Sequence, residues 1–235
     1  NTMSTLMGVL LGHVYDGMMV NLYADNEKLR HRAAGMVQKI TAASEAAAHE
    51  ALDDALGDAM NESGASFQLG MDATESMLQQ TATFVASDKR VQQLFLAGKL
   101  AVAAEGGGAG GEQAAKTRQA LLDLVGPGWK SMRTAYQVRQ LHFHLGPGST
   151  SFLRVHKPNK FGDNMDTVRY TIVDANRNLA PTRGFETGRV YSGIRGVTPV
   201  FADNPVTGAR EHVGALEAGT SFPTMFETLR RHTGT

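Results

Sequence analysis

The residues best suited to chemistry stand in two short runs. Gln140-Leu141-His142-Phe143-His144-Leu145 and Ser151-Phe152-Leu153-Arg154-Val155-His156 both alternate polar with apolar side chains. In extended backbone, successive side chains point to opposite faces. Gly146-Pro147-Gly148 lies between the runs and reads as a hairpin connection. Pairing across it places Leu141, Phe143, Leu145, Leu153 and Val155 on one face. His142, His144, Phe152, Arg154 and His156 then fall on the other. Three chemistries are open to that polar face. It is a solvated sheet surface with histidines bonded to packed helices, or the polar wall of a ligand pocket, or a metal site. His142, His144 and His156 are the metal candidates, since neutral imidazole suits zinc, nickel or copper. The neighbouring Arg154 would repel such a cation.

Arginines recur nearby: Arg154, Arg169, Arg183, Arg189 and Arg195. A guanidinium offers a planar fork of donors that fits carboxylate or phosphate. Convergence of two or three of them favours an anionic ligand, whereas singly each serves as a surface charge or as half of an ion pair. Asp163, Asp166, Glu186 and Glu217 are available as partners. Glu217 stands mid-strand between Leu216 and Ala218, where it either receives a ligand amine or neutralises a buried arginine. Gly184, Gly188, Gly193 and Gly196 mark bends, bulges or close approach of the backbone. They match no dinucleotide fingerprint, because no βαβ unit surrounds them.

Other functions are disfavoured. The chain has no cysteine, which removes disulfides, thiolate metal sites, iron–sulfur clusters and thiol nucleophiles. The 23 basic residues balance 23 acidic ones, so the formal charge is zero and a general nucleic-acid surface is not expected. The glycines at 106, 107, 108, 110 and 111 lack the lysine and serine or threonine of a phosphate-binding loop and read as a flexible connection. No Gly-x-Ser-x-Gly elbow and no His-Glu-x-x-His helix is present, and the chain is not expected to be an enzyme or to carry a cofactor.

The elements that must position these residues suggest an α+β fold. Residues 1–128 read as a helical region, rich in alanine, leucine, methionine and glutamate, with proline absent before Pro127. A break is expected at 61–64, a helix over 72–96, and a helix over 116–125 ended by Gly126-Pro127-Gly128. Residues 129–235 read as strands at 138–145 and 151–156, a helix at 166–178, strands at 193–201 and 212–219, and a terminal helix opened by Ser221 and Pro223. Residues 6–24 are the nearest approach to a membrane span, but His13, Asp16 and Asn21 interrupt them. There is no signal-peptide pattern, and the chain is expected to be a soluble piece of a longer protein.

The strand runs above, together with Lys157-Pro158, Phe161-Gly162-Asp163-Asn164-Met165 and Arg169, resemble the Cache sensor domains of bacterial chemoreceptors, sensor kinases and diguanylate cyclases. The likeness is to the double-Cache-like group. Gly193-Ile194-Arg195-Gly196-Val197-Thr198-Pro199-Val200 and Val213-Gly214-Ala215-Leu216-Glu217-Ala218-Gly219 continue it in order. It covers roughly residues 75–222. The resemblance implies a PAS-like antiparallel sheet, an extracytoplasmic (periplasmic) location, anchoring by transmembrane helices outside this chain, and a cytoplasmic output domain. On this reading a small anionic or zwitterionic molecule is bound by Arg154, Arg169 and Arg195. His144, His156, Asp163, Tyr191 and Glu217 orient it. The helical flanks make a homodimer a further expectation. A metal- or haem-responsive module built on His142, His144 and His156, and a purely structural dimerisation module, remain as alternatives.

Overall fold

A computed structural model of the chain describes residues 26–187 and 192–233, together with 14, 15, 18 and 19. The chain divides into two compact units, Asn1–Ser66 and Phe67–Thr235. In the first, the two-residue strands β1 (Val14–Tyr15) and β2 (Met18–Met19) pair antiparallel. The helix α1 (Glu27–Thr41) follows, and α2 (Glu45–Ala86) begins in this unit. The Asn26 side chain caps α1 by accepting from the Leu29 N–H at 3.0 Å. Ala34, Met36 and Ala48 are buried, and the His31 and His49 rings meet edge to face. Apart from β1 and β2, the interrupted apolar run at 6–24 lies outside the described residues. Among the described residues, no helix is long and apolar enough to cross a membrane.

The second unit holds the rest of α2, then α3 (Lys89–Ala104) and α4 (Glu112–Tyr136). The hairpin β3 (Gln140–Leu145) and β4 (Thr150–Arg154) comes next, followed by α5 (Tyr170–Asn178). The chain then forms β5 (Thr182–Thr187), β6 (Ser192–Asp203), β7 (Arg210–Ser221) and α6 (Phe222–Thr233). One antiparallel sheet runs in the order β4-β3-β7-β6-β5. The fold is α+β, and residues 67–128 lie in the same unit as the sheet.

The sheet's two faces have opposite characters. Register pairs Phe143 with Leu216 and Leu141 with Ala218, so these side chains point to one side together. There they meet Leu78, Ala82, Phe95, Leu96, Leu121 and Val125 from α2, α3 and α4 in the main core. Phe95 is fully buried, with ring centroids 5.2 Å from Phe143 and 5.6 Å from Phe152. Gly196 lets α2 lie directly on the sheet. A Cβ there would stand 2.0 Å from the Gln79 backbone nitrogen. The other face carries a small apolar patch, Ile172 and Ala175 of α5 on Val197 and Ala215. The remainder of that face is polar.

Several boundaries differ from expectation. Residues 61–64 do not interrupt α2. The chain breaks instead at Ser87 and Asp88, where the Asp88 carboxylate accepts from the Arg90 N–H at 2.8 Å and caps α3. Gly126-Pro127-Gly128 does not end α4, which continues to Tyr136 with Pro127 inside it. Leu121 and Val125 before the proline, and Trp129 and Met132 after it, pack on the same core. That tertiary burial outweighs the lost backbone hydrogen bond. The α5 helix starts at Tyr170 rather than 166. Asp166 is held elsewhere, accepting from the Ser149 N–H and hydroxyl at 2.7 and 2.8 Å. The edge strand β5 was not expected.

Candidate functional site

Strand register builds the site. His142 faces Arg154 on β4 and Glu217 on β7, and Arg195 on β6 faces Gly219 beside it. Gly193 on β6 faces Glu186 on β5. The alternation of β3 therefore puts Gln140, His142 and His144 beside Glu217, with Arg195 and Glu186 next along the sheet. A bulge at Phe143 and His144 leaves Phe152 without a partner opposite. Its ring turns to the helix-side core against Phe95, not to the polar face as the alternation predicts.

The result is a buried charged cluster. Arg195 is 2% exposed and Glu217 0%. The Arg195 guanidinium binds Oε1 of Glu217 and donates to Oε1 of Gln140 at 2.8 Å. Its Nε lies 3.1 Å from Oε2 of Glu186. The other oxygen of Glu217 faces two imidazoles, Nε2 of His144 at 3.2 Å and Nδ1 of His142 at 3.7 Å. Beyond them, Nε2 of His142 shares a hydrogen bond with the Ser151 hydroxyl at 2.8 Å, and Nδ1 of His144 lies 3.4 Å from the Ser149 carbonyl. Thr171, at the start of α5, donates its backbone N–H to Oε1 of Glu186 at 2.6 Å. Arg169, which precedes α5, is buried.

Burial and charge pull these groups in opposite directions. Burial pushes the Glu217 carboxyl up, but Arg195, with His144 and His142, outweighs it and holds the group well below the ordinary carboxylate range. Burial depresses His142 well below its usual value, and the adjacent His144 adds to this. His144 is lowered by burial against the opposing pull of Glu217, and His156 likewise. The site is therefore neutral imidazole around an ionised carboxylate. Arg169 is also lowered by burial, again with Glu217 opposing.

The expected residues divide three ways. His144, Arg169, Arg195 and Glu217 are buried in or beside the cluster, and His142 joins them. His156 sits at its margin, with Nδ1 3.4 Å from the Leu141 carbonyl and its ring 6.2 Å from that of His142. Arg154 and Asp163 are paired with each other at 2.8 and 2.9 Å, and Arg154 also donates to the Lys160 carbonyl. That pair pins residues 157–165 beside the polar face. Tyr191 lies outside the described residues. Glu186, Gln140, Ser149, Ser151 and Thr171 were not singled out as site residues by the sequence. Gln140 shares the i, i+2, i+4 spacing with His142 and His144, which is a signal that could have found it. The others depend on β5, the bulge and the α5 start.

Among the described residues, the donor atoms of His142, His144 and Glu217 all lie within 4.8 Å of one another. Glu217 thus stands where the three-imidazole set had His156. Clefts among the described residues lie elsewhere in the second unit. One of about 820 Å³ between α2, α3 and α4 is lined by Phe84, Val91, Val125, Trp129 and Tyr136. Another of about 550 Å³ lies against Met77, Gln137 and Met225. The charged cluster lines neither.

Known proteins were compared with this chain. It is 49% identical over 57 residues to an N-acetylmuramic acid 6-phosphate etherase from Symbiobacterium thermophilum, which is 24% of this chain and 19% of the etherase. It is similar in structure to an extracellular ligand binding receptor from Desulfohalobium retbaense, at 17% identity and a TM-score of 0.35, over 66% of this chain and 26% of that one. This chain thus spans about a fifth of the one and a quarter of the other. Residues 59–235 match the dCache_3 family, the double sensory domain of two-component sensor kinase. That stretch contains the whole five-stranded sheet and its buried cluster, and the chain belongs to this family of sensory domains.

Proposed function

We propose that this sensory domain is the extracytoplasmic part of a membrane-anchored signalling receptor and binds a small zwitterionic or anionic molecule at the polar sheet face. One observation carries the reading. Nε of Arg169, Oγ1 of Thr171, Nε of Arg195 and Oε2 of Glu186 are all buried without a hydrogen-bond partner among the described residues. The Arg195–Glu186 ion pair is close, but its N–H is out of line for a hydrogen bond. Leaving a buried polar group unpaired costs about 1–3 kcal/mol. Three donors and one carboxylate acceptor, left open around the start of α5, suit a molecule with an anionic end and an amine. The carboxylate would take the Arg169 and Arg195 N–H groups and the Thr171 hydroxyl, and the amine would take Glu186. On this reading His144 and His156 would orient the ligand from the β3 side. Arg154 and Asp163 act by holding the neighbouring loop.

The proposed route for the signal runs through α6. Phe222 opens α6 directly after Ser221 ends β7, so no loop separates α6 from the strand carrying Glu217. The Phe222 ring meets Phe67 of α2 at 6.0 Å and Phe185 of β5 at 5.7 Å. A ligand that repositions α5 and β5 would shift this contact, and does so only by its differential affinity for the two arrangements. Isothermal titration against a panel of amino acids and small carboxylic acids tests the site. At least one should bind with one-to-one stoichiometry, and Arg169→Ala should weaken it about 10- to 150-fold, as loss of a charge-assisted hydrogen bond of about 1.5–3 kcal/mol requires. Binding indifferent to Arg169→Ala would contradict the site.

A further inference from the structure

We infer that His142, His144 and Glu217 form a binding site for a divalent transition-metal ion of the zinc class, held by Nδ1 of His142, Nε2 of His144 and Oε2 of Glu217. This inference does not depend on the small-molecule reading.

The spacing fits. Zinc bonds of about 2.0–2.1 Å in a tetrahedral arrangement place neighbouring donor atoms about 3.3–3.4 Å apart. The observed separations from Oε2 of Glu217 are 3.2 Å to His144 and 3.7 Å to His142. Two imidazoles and a carboxylate form a familiar donor set for such an ion, with one position left for water or another donor. All three side chains are at most 3% exposed.

The outer contacts are those a metal site requires. A ligating imidazole almost always engages a partner through its second ring nitrogen, which fixes its tautomer. Here Nε2 of His142 bonds the Ser151 hydroxyl, and Nδ1 of His144 lies against the Ser149 carbonyl. His144 therefore lies between two acceptors, that carbonyl and the Glu217 carboxylate. A neutral ring has a single proton to offer. In the tautomer with Nδ1–H given to Ser149, the lone pair of Nε2 faces Oε2 of Glu217, and a cation between them takes the place of the Nε2–H···Oε2 bond that the other tautomer makes. Of the nearby arginines, the buried Arg169 opposes the ion from beside His144, while Arg154 and Arg195 do so less. Arg154 is paired with Asp163. Arg195 lies on the far oxygen of Glu217 with Glu186 against it, leaving Oε2 for the ion.

The test uses the whole chain, stripped with a chelator and titrated with Zn²⁺ and Co²⁺ in the absence of any small acid or amine. Metal analysis after desalting should give one ion per chain, and the Co²⁺ form should show the visible absorption of a four-coordinate centre. His142→Ala and Glu217→Gln should each weaken uptake by at least about tenfold, the lower end of what loss of an outer contact alone produces. His156→Ala and His212→Ala should retain it. The wild-type spectrum decides the matter even where a variant fails to fold. Absence of stoichiometric uptake by the wild-type chain overturns the inference. So does uptake that survives in folded His142→Ala or Glu217→Gln, or that is lost in His156→Ala. Metal uptake with no small-molecule binding, or the reverse, separates this inference from the ligand reading.

Discussion

Glu217→Ala should lower the unfolding free energy by about 3–5 kcal/mol, measured by urea denaturation at neutral pH, because it strands a buried guanidinium. Arg195 is 2% exposed, and its partners are Glu217, Glu186 and Gln140. Removing Glu217 deletes its closest opposite charge and opens a void beside two imidazoles. Glu186 cannot compensate fully, because its carboxylate lies out of line with the Arg195 N–H. The paired replacement Glu217→Leu with Arg195→Met should recover most of the loss, since apolar groups of similar volume often substitute for a buried ion pair without penalty. A change under 1 kcal/mol in Glu217→Ala would mean that the cluster is hydrated and that Arg195 is not held by this partner.

An effect of similar size is expected on the opposite face. Phe95→Ala should cost about 3–5 kcal/mol through lost transfer energy and the cavity left behind. Phe95 is fully buried between Phe143 and Phe152, so neighbouring rings must collapse to fill the space. The two replacements should behave differently in binding. Phe95 lies across the sheet from Arg169, Thr171 and Glu186. Phe95→Ala should therefore leave small-molecule affinity within about threefold of wild type below its unfolding transition, as distant sites usually act independently. Affinity that falls in step with stability would show that the helix-side core, rather than the polar face, contains the binding surface.

Much of this site can be read from short-range pattern. The alternation of Gln140, His142 and His144 is a period-two signal, and antiparallel register with β7 delivers Glu217 opposite His142. Glu217 was ambiguous in sequence between a ligand amine and a buried arginine. The structure gives it Arg195 on one oxygen and the imidazoles on the other. What escaped the sequence was non-local. β5 has the sequence Thr-Arg-Gly-Phe-Glu-Thr, too polar to announce a strand, and it forms by pairing along β6. Without it, Glu186 has no place in the site. Phe152 changes face because of a bulge that no composition rule marks. Pro127 and residues 61–64 carry strong local breaking signals, yet the helices continue. At Pro127 the flanking Val125 and Trp129 are anchored on one core. Asp166 has the chemistry of a helix cap, but Ser149 holds it instead.

The most direct measurement is a crystal structure of the protein with the tightest-binding small acid or amino acid. Its anionic end should lie within hydrogen-bond distance of the Arg169 and Arg195 Nε atoms, with any amine on Glu186. A ligand found instead in the cleft against Trp129, with Arg169 Nε and Thr171 Oγ1 not engaged by it, would contradict the polar sheet face as the sensing surface.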